Sequence, residues 1–139
     1  MFTSVLRISE ASSLAMHTAA MLAAEPERML SVHHIAAALG ASEAHLAKVL
    51  GRLGHAGLVR SVRGPKGGFL LQKAPAAVTL LEVYEAIEGP LHPTGCLLGE
   101  PACGGRKCVL GNLARSVDRQ VKDYLSRTTL KKLSDVYRS

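Results

Sequence analysis

Apolar residues recur along this chain at two spacings, and each change of spacing marks the edge of a short element. The longest apolar stretch covers positions 14–24, is interrupted by His17, and predicts a core helix over about 9–24 that Pro26 ends. Behind Ser31, a good N-cap, Val32, Ile35, Ala36 and Leu39 fall at i, i+3, i+4 and i+7, and Gly40 supplies a stop. Only Ala41 separates that glycine from Ser42, the next N-cap, after which Leu46, Val49, Leu50 and Leu53 repeat the helical spacing. Two short helices meeting at a glycine turn are the helix-turn-helix signature, a pattern that helical hairpins with no ligand share.

After Gly57 the period changes. Positions 58–62 and 69–72 read as strands joined by Arg63-Gly64-Pro65-Lys66-Gly67-Gly68, which makes a β-hairpin with a basic tip. Thr79 and Glu82 form a capping box for a helix carrying Leu80, Val83, Tyr84 and Ile87, which Gly89-Pro90 terminates. A Gly/Pro-rich loop over 91–106 follows, and Cys108 is expected to open a long helix to about Ser126. On it Leu110, Leu113, Val117 and Tyr124 recur at coiled-coil-like steps, an apolar seam for a partner helix or for packing on the first helix of the same chain. The expected fold class is mainly α with a small β-hairpin wing. It divides into a winged helix-turn-helix domain over 1–89, a cysteine-bearing sensor loop over 90–108, and a dimerisation helix with a C-terminal helix over 109–139.

Composition narrows the partners. At 139 residues the chain has the size of one domain, and 17 Lys and Arg against 11 Asp and Glu give a net charge of +6, which favours a polyanion. Aromatic residues make up only 4%, with no tryptophan, so stacking platforms for single strands are not expected. The apolar stretch is too short for a membrane span, and one arginine ahead of Ile8 and Glu10 is not a signal peptide. A cytoplasmic location without membrane attachment is the expectation. No Gly-x-Ser-x-Gly elbow, Cys-x-x-Cys or catalytic carboxylate pair points to an enzyme.

Double-stranded DNA fits best. With Leu46, Val49, Leu50 and Leu53 turned inward, the second helix of the pair presents Glu43, Ala44, His45, Ala47, Lys48, Arg52 and His55. Near its start Ser42 and His45 are candidates to contact DNA, His45 to reach base edges, and Lys48 and Arg52 to meet phosphates; a solvated face is the plainer alternative. Arg60, Arg63 and Lys66 surround glycines that let the hairpin approach a phosphate backbone or a minor groove.

The segment Leu58-Val59-Arg60-Ser61-Val62-Arg63-Gly64-Pro65-Lys66-Gly67-Gly68-Phe69 resembles the wing of the Rrf-two family of transcription regulators. The likeness continues through Ile35-Ala36, Leu39-Gly40, Thr79-Leu80, Val83 and Ile87-Glu88-Gly89 to three cysteines ahead of a long helix. It implies a homodimeric winged-helix repressor or activator, with the long helices crossing at the interface and two recognition helices set for a pseudo-palindromic site. It also implies that Arg63 enters the minor groove. Ala44 and Ala47 stand where relatives often carry polar residues, so no relative's target site transfers.

Cys96, Cys103 and Cys108 lie among glycines that allow the chain to wrap a metal. Thiolates suit iron–sulfur clusters or zinc, and three of them leave one ligand to find. The resemblance implies a redox-sensing iron–sulfur cluster, 2Fe-2S or 4Fe-4S. Relatives complete such clusters with a histidine at the place of Gly111 or an aspartate near Ser13, and this chain has neither. The fourth ligand is therefore unknown, with His92, Glu100, Glu10 and His17 as substitutes. A thiol switch or zinc site on the same cysteines is the alternative.

Overall fold

A computed structural model describes residues 8–91, 103 and 107–137. Ser9 caps the first helix, α1 (Glu10–Ala24), its hydroxyl accepting from the Ser12 amide at 3.1 Å. Most of α1 is buried, and its alanines let the other helices approach closely. Next come α2 (Val32–Leu39) and α3 (Glu43–His55), capped by Ser31 and Ser42 as the sequence predicts. Gly40, at φ 65°, takes the left-handed conformation that turns the chain between them.

Strands β1 (Val59–Val62) and β2 (Gly68–Leu71) pair antiparallel with Val59 opposite Leu71 and Val62 opposite Gly68. A second tie fixes this hairpin to the body: Leu30 and Phe69 exchange both backbone hydrogen bonds, at 3.2 and 2.8 Å. The two glycines closing the tip are sterically required. A Cβ on Gly67 would lie 2.1 Å from the Val62 carbonyl oxygen, and one on Gly68 2.6 Å from that of Leu30.

The capping box opens α4 (Leu80–Glu88) as expected. The last helix differs from expectation: α5 spans Leu113–Arg127 and does not begin at Cys108. Gly111 at φ 59° and the bond from its amide to the Cys108 carbonyl make a turn there, and this leaves Leu110 outside the helix. Beyond α5 a 3-10 turn, Leu130–Leu133, folds back, with the Leu130 amide donating to Val78 and the Leu80 amide to Thr128. Leu125 and Leu130 thereby enter the same apolar core as Leu22, Ile35, Leu46, Leu50, Leu53 and Val83.

Candidate nucleic-acid interface

The core-facing stripe of α3 is fully buried, with Leu46, Leu50 and Leu53 at 0% exposure, so the opposite face is fixed towards solvent. Its centre carries Ala44, Ala47, Lys48, Gly51 and His55, all exposed. The longer polar side chains beside it have partners within the fold. The Glu43 carboxylate pairs with His33 at 2.5 Å, and half-buried His45 leans towards Glu10 of α1 at 3.8 Å. Arg52 donates to the Ile87 carbonyl, at the end of α4, at 3.3 Å. The Ser42 hydroxyl accepts from the His45 amide, a capping role alongside the one predicted for it. Of the residues proposed on this helix, Lys48 is the one whose charge has no partner among the described residues.

On the hairpin, Arg60, Arg63 and Lys66 are all exposed and make no ion pair with a described residue. The double tie to Leu30, with β1 packed on α3 and β2 on α1, holds this cationic edge in place, so the charges belong to a positioned element.

Sequence reasoning missed the junction where α1, α3 and α4 meet. There the Glu88 carboxylate accepts from the hydroxyls of Ser9 and Ser12, the latter at 2.7 Å. Chiefly the Ser9 bond, then that of Ser12, holds the Glu88 carboxyl below the ordinary range against the opposing effect of burial, with Arg52 adding to the lowering. Tyr84, one turn earlier, has its phenol pushed up by burial and by the charges of Glu88 and Asp118. The spacing puts the start of α1 near position 9, but nothing local to Ser9 signals a partner 79 positions away.

Of the candidate metal ligands, Cys103 is exposed and Cys108 half-buried, both ahead of α5 in the sequence. Cys96, His92 and Glu100 lie outside the described residues. Among the described residues no three His, Cys, Asp or Glu side chains converge as a metal site. The His17 Nδ1 is taken up by the Ser13 carbonyl at 2.6 Å. On α5, Leu113, Val117 and Tyr124 are 59%, 39% and 61% exposed, a solvent-facing strip beside the inward-facing Val121 and Leu125. No helix among the described residues is long and apolar enough to cross a membrane.

A family model described as Rrf2, iron-dependent transcriptional regulator, matches residues 8–136. The chain is 37% identical over 94 residues to the HTH-type transcriptional regulator IscR of Erwinia tasmaniensis, a match covering 68% of this chain and 57% of that protein. It thus spans little more than half the length of this relative. Among solved structures it is similar to CymR, the global cysteine regulator of B. subtilis, at 30% identity and a TM-score of 0.78, covering 95% of this chain and 98% of that one. An oxidized form of Staphylococcus aureus CymR matches at 26% identity and a TM-score of 0.74, over 96% of this chain and 100% of that one.

Proposed function

Because the chain belongs to the Rrf2 family of transcriptional regulators, we propose that it binds duplex DNA as a homodimer and that chemistry at its cysteines controls that binding. The observation that carries the reading is the anchored wing, whose Arg60, Arg63 and Lys66 are exposed and unpaired among the described residues. In the major groove α3 offers Ser42 and His45 at its start, His45 towards bases, with Lys48 and Arg52 towards phosphates, while Arg63 of the wing enters the adjacent minor groove. Leu113, Val117 and Tyr124, with Leu110 in the preceding turn, form the proposed contact between subunits. Titration against duplexes selected from a random pool tests the core of this reading; affinity that neither exceeds that for scrambled duplex nor falls with salt refutes it.

Cys96, Cys103 and Cys108 are the proposed ligands of an iron–sulfur cluster. The fit is partial. Two thiols of the right softness stand exposed or half-exposed ahead of α5, and the description of the family as iron-dependent supports iron. Such a cluster supplies a redox-sensitive centre; this chain's own contribution is to tie the segment between α4 and α5 through its cysteines. Protein purified without oxygen should be coloured and contain iron, and Cys103→Ala should lose both while keeping its helical content. A second reading, a thiol switch without a cluster, is favoured by the likeness to oxidized CymR. Colourless, iron-free protein after anaerobic reconstitution defeats the cluster. A disulfide that alters DNA affinity then supports the switch, and stoichiometric zinc a metal site of another kind.

A further inference from the structure

Lys48, Gly51, Arg52 and His55 line a recess of about 480 Å³ whose other wall is the last turn of α4 at Ala86 and Ile87. The three long side chains stand at i, i+4 and i+7, on one face of α3. No acidic side chain lines the recess. The nearby Glu88 has its carboxylate engaged by Ser9 and Ser12 of α1. Arg52 spends one N–H on the Ile87 carbonyl, which orients its guanidinium and leaves further donors for a ligand. The C-terminal ends of α3 and α4 both lie here, and each opposes an anion with about half a unit charge. Two full cations and a histidine outweigh that, so the recess selects an anion.

From this geometry we propose that the recess is the binding site for one phosphodiester of the DNA backbone, held by Arg52 between Lys48 and His55. The inference rests on the DNA-binding reading above and divides α3 in two. Its last turns set the protein's place on the duplex and carry no sequence information, leaving base recognition to its first turns and the wing. Gly51 fits this division. A Cβ there would meet nothing within 4 Å, so packing does not require glycine, and glycine weakens a helix relative to alanine. What glycine leaves is room for a backbone to come close.

The test compares the full-length parent protein with Arg52→Gln, His55→Gln and Gly51→Ala on a selected and a scrambled duplex across a series of chloride concentrations. Arg52→Gln should weaken binding to both duplexes equally, about tenfold, as for one charge-assisted contact. Its plot of log affinity against log salt should be less steep by about 0.9, the mark of one lost phosphate. His55→Gln should weaken both equally and by less. Gly51→Ala should unfold at a higher temperature and yet bind both duplexes more weakly, which misfolding cannot explain. A changed ratio of selected to scrambled affinity in Arg52→Gln would make it a base reader, and an unchanged slope would make it structural; either overturns the inference. Inorganic phosphate at matched ionic strength should compete no better than chloride; competition that Arg52→Gln abolishes would make this a free-anion site and overturn it too. A parent protein that binds no duplex removes the DNA-binding reading itself, whereas a parent that binds alongside an indistinguishable Arg52→Gln defeats the phosphate site alone.

Discussion

Glu88 sits at the last residue of α4 yet its contacts belong to α1, where the N-terminal end of the helix dipole and two serine hydroxyls meet it. These bonds favour the carboxylate over the acid, so folded Glu88 gives up its proton at lower pH than in the unfolded chain. Their contribution is fully present above the ordinary glutamate value of 4.5 and is lost as pH falls through the lower folded value. Glu88→Gln is therefore expected to unfold at a lower temperature than the parent at neutral pH. The gap should narrow as pH drops below the ordinary value. Thermal unfolding followed by circular dichroism at a series of pH values checks this, and a gap that stays constant with pH would assign the effect to shape instead of charge. Arg52 belongs to the same junction, so its conversion to glutamine is expected to lower stability slightly as well as weaken DNA binding.

The wing shows how an element can be mechanically and chemically separable. Gly68→Ala would drive a methyl into the Leu30 carbonyl, and because the clash is with backbone the cost is expected near 1–3 kcal/mol, as for overpacking. Arg63 is exposed and makes no ion pair with a described residue, so Arg63→Ala should keep the parent's unfolding midpoint while DNA affinity falls by about 1–3 kcal/mol. Equilibrium unfolding and operator titration of the two variants separate these effects, and unchanged affinity in Arg63→Ala would remove the wing from the readout. Much of this architecture was legible in the sequence. Ser31, Gly40, Ser42 and the Thr79–Glu82 box mark helix ends by local chemistry, and the spacing of Leu46, Val49, Leu50 and Leu53 alone identifies the buried side of α3. What was hidden depends on distant partners. Nothing local says that Leu30 pairs with Phe69, that Arg52 reaches the end of α4, or that Leu130 returns to Val78. Apolar spacing that runs through Leu110 suggests an earlier start for α5 than the structure has, because the left-handed Gly111 breaks the helix there.

At the scale of the whole molecule, α5 divides its apolar residues between two duties. Leu125, 5% exposed, belongs to the core that α1 and α3 also build, whereas Leu113, Val117 and Tyr124 lie outside it and are exposed among the described residues. If a second copy covers that strip, a carboxylate placed on it would be buried without a partner, a change that strongly disfavours association. Leu113→Asp and Val117→Asp are thus expected to sediment as monomers. Both positions are exposed in the single chain, so the variants should keep the parent's circular dichroism. Leu125→Ala provides the contrast: it leaves the outer strip intact and opens a cavity in the core, so it should lower stability by about 2–5 kcal/mol. Monomers should also bind DNA far more weakly, because two linked recognition helices gain from effective concentration what either alone lacks. Dimers that persist in both aspartate variants would move the interface off this face of α5.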